Sequence, residues 1–282
     1  GSVIRKFYPD PWLRTSCDID VLVKEKDIER ASELLTERMS YKNERKGSHD
    51  VSLFSEGGVH IELHYSMIEE KCVGSAELVL QSVWDYASEV SDTYEYILSD
   101  EMFYFYHIAH MAKHFVETGG CGIRPFLDIW VMNHRADFNR EKREKLLSDG
   151  GLSVFAKQAE LLSEAWFGNA EHTEVTMQMQ EYILRGGVYG TSGNRITMQQ
   201  QKKGGRIEYA LSKIFIPYNV IKFHYPILQK HRILTPVMEV RRWGKLIFCG
   251  HLKRTVNELK FNGNISKESA VKAKEFLEDV GL

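Results

Sequence analysis

Two aspartates separated by one residue are the first candidates for chemistry in this chain of 282 residues. Asp18 and Asp20 stand in the stretch "RTSCDIDVLV", residues 14–23, where Ile19 and Val21 predict a buried strand. Side chains alternate across a strand, so the two carboxylates share a face, with Cα atoms roughly 6–7 Å apart. Like charges at that distance repel and lose hydration, a cost that a bound cation reverses. The spacing therefore predicts a cation site, with capping or turn acids as the alternative.

A third acid follows in a second strand-like stretch, "VHIELHY", residues 59–65. By the same alternation His60, Glu62 and His64 share a face, and Glu62 adds a third carboxylate if this strand neighbours the first. Paired Mg²⁺ ions about 3.5–4 Å apart stabilise the attacking and leaving oxygens of an in-line phosphoryl displacement, and acids bridge them. Mg²⁺ prefers oxygen ligands, so carboxylates suit it better than they suit zinc. The acids predict a two-metal Mg²⁺ site for phosphoryl transfer.

The first 70 residues show the elements that would position these acids. The run "KDIERASELLTERM" places Ile28 and Leu35 at helical spacing after Asp27, a residue type that caps helices. The runs "HDVSLF" and "VHIELHY" alternate apolar and polar residues and are joined by "SEGG", a connection of hairpin length. We expect two antiparallel strands beside the first strand, in a small mixed sheet.

Helical patterns replace strand patterns beyond residue 75. Three stretches combine helical spacing with early acids, an early proline or a terminal glycine: "DEMFYFYHIAHMAKHFVETGG", "RPFLDIWVMNH" and "LSVFAKQAELLSEAWFG". Four glycines in residues 185–194 predict a loop. These patterns predict an α+β fold, with a small mixed β-sheet core over residues 1–70 and a larger all-helical region over 71–282 packed against it. We expect the active cleft between the two.

The composition is that of an ordinary globular protein, with 43% hydrophobic and 27% charged residues. A net charge of −2 gives no reason to expect a polyelectrolyte partner. The apolar runs are too short for a membrane span, and the N-terminus lacks the apolar core of a signal peptide, so we expect a cytoplasmic protein with no membrane partner. The scattered cysteines predict free thiols rather than disulfides; they are Cys17, Cys72, Cys121 and Cys249.

The motif around the acids resembles a known family. Arg14, the run Asp-Ile-Asp-x-Leu-Val from Asp18 and the run Glu-Leu-His from Glu62 are similar to the nucleotidyltransferase superfamily of DNA polymerase β, most closely to a bacterial group of uncharacterised nucleotidyltransferases. The resemblance implies transfer of a nucleoside monophosphate from an NTP to an acceptor hydroxyl, with Mg²⁺ as cofactor. It also implies that Asp18 and Asp20 bind both metals. Glu62 would bind the catalytic metal and lower the pKa of the acceptor hydroxyl, or accept its proton.

The resemblance continues through "HIAHMAKHFVETGGCGIRPFLDIWVM", residues 107–132, and implies a set of nucleotide-binding residues. They are Gly1, Ser2, Arg14, His64, Lys113, His114, Arg124 and Asp128. For Gly1 and Ser2 the alternative is a cloning remnant. For Arg124, a guanidinium suited to phosphate, the alternative is a structural ion pair with Asp128 at i,i+4 spacing.

Other functions remain open from the sequence. Ten Lys or Arg residues against two Glu in residues 202–245 suit contact with nucleic acid, although a solvated helical face is the favoured interpretation. A catalytically silent binding module that acts with a protein partner would keep the same fold. A hydrolase that uses His60, Glu62 and His64 is disfavoured, because the two histidines lie about 13 Å apart along a strand. The acceptor and the NTP are not specified.

Overall fold

The computed structural model describes residues 1–16, 18–47, 49–68, 72–135, 137–187, 190–225, 227–248 and 252–282. Cys17, Cys249 and two residues of the predicted glycine-rich loop, 188–189, lie outside the described residues. Cys72 and Cys121 are thiols rather than disulfides in the described part of the chain, as predicted. Packing divides the chain into two compact units. The first comprises Gly1–Lys113, Ile123–Gln180 and Gly281–Leu282, and the second comprises His114–Gly122 and Glu181–Val280. The predicted functional boundary after residue 70 stays a prediction.

Strands lie in the first unit, and helices occur in both. The strands are β1 (Asp18–Leu22), β2 (Lys42–Lys46), β3 (Asp50–Phe54), β4 (His60–His64), β5 (Ala87–Glu89) and β6 (Tyr96–Leu98). The helices are α1 (Ile28–Met39), α2 (Ala76–Leu80), α3 (Asp100–Glu117), α4 (Arg124–Arg135), α5 (Arg140–Asp149), α6 (Ser153–Phe167), α7 (Glu174–Gly186), α8 (Ser192–Lys202), α9 (Arg206–Ile214), α10 (Tyr218–His224), α11 (Ile227–Lys230), α12 (Thr235–Phe248), α13 (Leu252–Asn264) and α14 (Lys267–Val280).

The main sheet is mixed, with strand order β1-β4-β3-β2. Strands β3 and β4 pair antiparallel, and β1 pairs parallel with β4. This register places Asp18 opposite His60 and Asp20 opposite Glu62. The α+β fold class, the small mixed sheet and the adjacency of the two acid-bearing strands are therefore confirmed.

One face of this sheet packs on a helix, and the other carries the polar residues. Val51, Leu53 and Leu63 are buried against Ile28 of α1, which accounts for the alternating pattern in β3 and β4. Strand β1 is different, because it forms the edge of the sheet. The prediction that β1 is buried was wrong: Ile19 is 44% exposed.

The long helices follow the sequence patterns closely. Pro125 lies in the first turn of α4, and α6 ends at Phe167 with Gly168 as its C-cap residue. Asp27 occupies the N-cap position of α1, but its side chain makes no capping hydrogen bond, so that part of the prediction was wrong. The glycine-rich loop is shorter than predicted, because α7 extends to Gly186 and α8 begins at Ser192. Strand β2 and the short strands β5 and β6 were not predicted.

The second unit is built from helices. Ile196, Tyr209 and Ile265 form a buried cluster within it. Phe215, an aromatic residue of the basic stretch 202–245, is 62% exposed. Within the described residues, every helix is too short or too polar to cross a membrane.

Candidate metal centre

The polar face of β1 and β4 gathers the three acids that the sequence singled out. Asp18, His60 and Glu62 have potential ligand atoms within 4.8 Å of one another, and so do Asp20, Glu62 and His64. We call these five residues the acidic face. Glu62 belongs to both groups, so it is the member that could bridge two ions. His60 and His64 fall in different groups, in keeping with their separation along β4.

An imidazole offsets the repulsion between the carboxylates. Nε2 of His64 lies 3.3 Å from Oδ1 of Asp20 and 3.5 Å from Oε2 of Glu62. The hydrogen bond with His64 lowers the pKa of Asp20, against the burial that would raise it. Burial opposes charge on His64, but the hydrogen bond with Asp20 and the nearby acids outweigh it and raise the pKa of His64. In the metal-free site, the contact with His64 thus favours the charged form of Asp20 despite the neighbouring acids.

His60 is fixed by two contacts with the neighbouring strand β3. Its Nε2 lies 2.7 Å from Oγ of Ser52, and its ring stacks on that of Phe54 with 4.1 Å between centroids and 8° between planes. The same nitrogen lies 3.5 Å from Oε1 of Glu62. His60 is therefore tied to β3 as well as to the acidic face.

Helix α3 contributes further neighbours, of which Tyr106 was not singled out from the sequence. Burial and the negative charges of the three acids raise the pKa of Tyr106, and the charge of His110 acts on Asp20. Tyr106 and His110 stand one helical turn apart, with ring centroids separated by 5.8 Å. Both line a small cavity with Lys113. Tyr106 and His110 are four positions apart and lie close to the predicted Lys113 in the sequence. This i,i+4 spacing was the signal that could have placed both residues on the same face of α3.

Arg14 and Asp128 are paired with each other. Nε and Nη2 of Arg14 donate to Oδ1 and Oδ2 of Asp128 at 2.7 and 2.8 Å, and the Tyr8 hydroxyl donates to Oδ1 at 2.7 Å. Burial disfavours charge on Arg14, but the hydrogen bonds to Asp128 outweigh it, and the pKa of Arg14 is raised. Burial and the hydrogen bond to Asp128 raise the pKa of Tyr8 as well. The partner of Asp128 is therefore Arg14 rather than Arg124.

Two further arginines contact the segment that precedes β1. Nη1 of Arg124, an exposed residue, donates to the carbonyl oxygen of Thr15 at 3.3 Å. Nη2 of Arg5 donates to Oγ of Ser16 at 3.1 Å, and its Nε donates to the carbonyl oxygen of Arg14. Arg5 was not singled out from the sequence, because no motif marks it. Both guanidinium groups lie beside the segment that leads into Asp18.

The remaining predicted residues have different surroundings. Gly1 lies against Ser16. Ser2 is exposed. His114 belongs to the second unit, where its Nδ1 lies 3.3 Å from Oγ1 of Thr118. These positions leave the nucleotide-binding roles as predictions.

Comparison with known proteins gives one match. A family model described as an uncharacterised nucleotidyltransferase matches residues 1–168, more than half of the chain. No curated protein and no solved structure matches the chain. The matched span contains the whole acidic face, the Arg14–Asp128 pair and Arg124.

Proposed function

The chain belongs to the uncharacterised nucleotidyltransferase family, and from this premise we propose that it transfers a nucleoside monophosphate from an NTP to an acceptor hydroxyl. The observation that carries the proposal is the parallel register of β1 and β4, with Asp20 directly opposite Glu62. Asp18 lies two residues before Asp20 and so shares its face. Three carboxylates on adjacent strands are the donor set that a two-metal phosphoryl transfer requires.

The donors present fit divalent cations. Asp20 has 48% of its side chain exposed and Glu62 has 29%, so both are accessible to an ion and to a nucleotide. Carboxylate oxygens are the ligands that Mg²⁺ prefers, and Mg²⁺ is the ion that we propose for transfer. Asp18, Asp20 and Glu62 would hold the ions. Once bound, the ions would polarise phosphate oxygens and lower the pKa of the acceptor hydroxyl.

The protein's own residues then have distinct tasks. Glu62 would accept the proton of the acceptor hydroxyl, or hold the hydroxyl in line with the α-phosphorus. The acceptor oxygen forms a bond to the α-phosphorus, the bond to the bridging oxygen of the β-phosphate breaks, and pyrophosphate leaves. Arg124 and Arg5, which lie beside the segment that leads to β1, would bind phosphate oxygens.

The position of an isotope label in the NTP, at the α-phosphate or at the γ-phosphate, tests this proposal. Each of the four NTPs, labelled at the α-phosphate or at the γ-phosphate, is incubated with the protein, Mg²⁺ and a cell lysate that supplies acceptors. We expect covalent labelling of an acceptor from the α-label alone, and its loss in Glu62→Gln. Transfer of the γ-label would indicate a kinase instead. Absence of both labels from every fraction would count against the enzyme.

A further inference from the structure

A histidine lies within the acidic face at the distances that separate ligands of one ion. Nε2 of His64 is 3.3 Å from Oδ1 of Asp20 and 3.5 Å from Oε2 of Glu62. Two donors that bind one ion at about 2.1 Å are about 3.0 Å apart in adjacent octahedral positions and about 3.4 Å apart in a tetrahedron. The nitrogen is therefore spaced from both carboxylates as a ligand would be.

The second histidine of the acidic face has a competing partner. Nε2 of His60 lies 2.7 Å from Oγ of Ser52, a closer contact than its 3.5 Å approach to Glu62. Stacking on Phe54 also restrains the ring. The two imidazoles thus differ in one respect that matters for ligation. Nε2 of His60 is engaged by a hydroxyl, whereas the contacts of Nε2 in His64 are with carboxylates.

A buried carboxylate next to His64 gives an independent observation. Asp50 is paired with His64 across β3 and β4 and is 4% exposed. Its Oδ1 has no hydrogen-bond partner among the residues that the structure describes, and Nε2 of His49 lies 3.8 Å from it. Carboxylates in the outer shell of a metal-bound imidazole increase its basicity and are a regular part of such sites. Asp50 is a buried carboxylate on the strand position opposite His64, where an outer-shell carboxylate would be expected.

We propose that His64 binds a divalent ion directly through Nε2, together with Asp20 and Glu62, and that this position prefers a first-row transition ion to Mg²⁺. The inference rests on the proposed function, since it concerns one of the two ion positions used for transfer. Mg²⁺ takes oxygen ligands, whereas first-row transition ions also accept imidazole. Asp18 and Glu62 leave an oxygen donor set for the second ion, which suits the Mg²⁺ that accompanies a nucleotide.

Pulsed electron paramagnetic resonance of Mn²⁺ bound to the full chain tests the ligand directly. A bonded imidazole adds a nitrogen modulation to the Mn²⁺ signal, which oxygen ligands do not produce. We expect this modulation in the wild type and in the matched control His60→Gln, and its loss in His64→Gln. Loss of an outer-shell partner alone costs about tenfold to a hundredfold in metal affinity, so loss of the direct ligand in His64→Gln should lower the affinity for Mn²⁺ by at least about tenfold. The affinity for Mg²⁺ should change much less.

Wild-type protein that carries ¹⁵N-labelled histidine gives a second test that needs no variant and so does not depend on whether a variant folds. If a histidine nitrogen binds Mn²⁺, the nitrogen modulation must change from the ¹⁴N pattern to the ¹⁵N pattern. A wild type without nitrogen modulation, or modulation that persists in folded His64→Gln, overturns the proposal. The transfer assay separates the two ideas. Nitrogen ligation without nucleotidyl transfer supports this inference and counts against the enzyme, whereas transfer with oxygen ligands alone supports the enzyme and overturns the inference.

Discussion

The first unit holds two groups of charged residues that differ in how their charges are satisfied. Side chains of Arg14 and Asp128 are 10% and 0% exposed, and each is the other's main partner. On the acidic face, Asp20 and Glu62 are 48% and 29% exposed, and imidazoles lie against their carboxylates. Removing one member of a buried, mutually satisfied pair destabilises a fold, whereas accessible like charges are suited to a cation. The span matched by the family thus contains a buried ion pair and an accessible acidic face, and we propose cation binding only for the latter.

The largest expected effect is on the acidic face. Glu62→Gln keeps the shape of the side chain but removes the charge shared by both ion positions, so transfer should fall by on the order of a thousandfold or more. Single-turnover assays with NTP labelled at the α-phosphate measure it. The matched control is Glu56→Gln, an exposed acid in the turn between β3 and β4, which should keep wild-type activity. Equal losses in both variants would mean that the effect is not specific to the acidic face.

Substitutions in the Arg14–Asp128 pair should change the stability of the fold. Arg14→Ala leaves the carboxylate of Asp128 buried and without its main partner, which should lower the free energy of unfolding by about 3–5 kcal/mol. Denaturant unfolding measures the loss. Replacing both members, Arg14→Met with Asp128→Leu, should recover part of it, because no unpaired charge remains. A loss below about 1 kcal/mol in Arg14→Ala would assign Arg14 to nucleotide binding instead.

Arg124 lies between these two cases, since it is exposed and makes one long hydrogen bond to Thr15. Arg124→Ala should raise the KM for NTP about tenfold, equivalent to about 1.4 kcal/mol. The free energy of unfolding should change by no more than about 0.5 kcal/mol. Steady-state kinetics and thermal melts on one preparation give both numbers. Reduced stability with unchanged KM would make Arg124 a structural residue.

The smallest effect concerns the contact between Asp20 and His64 in the metal-free protein. Because the pKa of His64 is raised, the stability that protonated His64 contributes to the fold is fully present below the ordinary pKa of 6.5. This stability is lost as pH rises through the raised pKa. Because the pKa of Asp20 is lowered, the stability that ionised Asp20 contributes to the fold is fully present above the ordinary pKa of 3.8. This stability is lost as pH falls through the lowered pKa. In EDTA, His64→Gln should therefore cost more stability at about pH 5.5 than at about pH 8.5. Solvent screening keeps the difference below about 1 kcal/mol, and the reverse order would contradict the ion pair.

The sequence predicted the features that depend on the spacing of nearby residues. It did not predict contacts between residues that are far apart in the chain. Alternation placed Asp18 with Asp20 and Glu62 with His64, and the hairpin signal placed β4 beside β3. That β1 pairs with β4 rather than β2 was only a condition in the argument, because no local pattern specifies the neighbour of a strand. The i,i+4 rule suggested Arg124 as the partner of Asp128, whereas Arg14, 114 positions away, is the partner. Long-range pairs of this kind are set by tertiary packing.

The central claim is that Asp18, Asp20 and Glu62 form a site for divalent ions and a nucleotide. Thermal melts of the wild type and Asp20→Asn, each with and without Mg²⁺ and each of the four NTPs, test it most directly. With one NTP and Mg²⁺ together at a hundredfold excess over Kd, the wild type should gain about 2.7 kcal/mol, and Asp20→Asn should gain far less. A wild type that gains nothing from any NTP would contradict the claim and favour a silent binding module that acts with a protein partner.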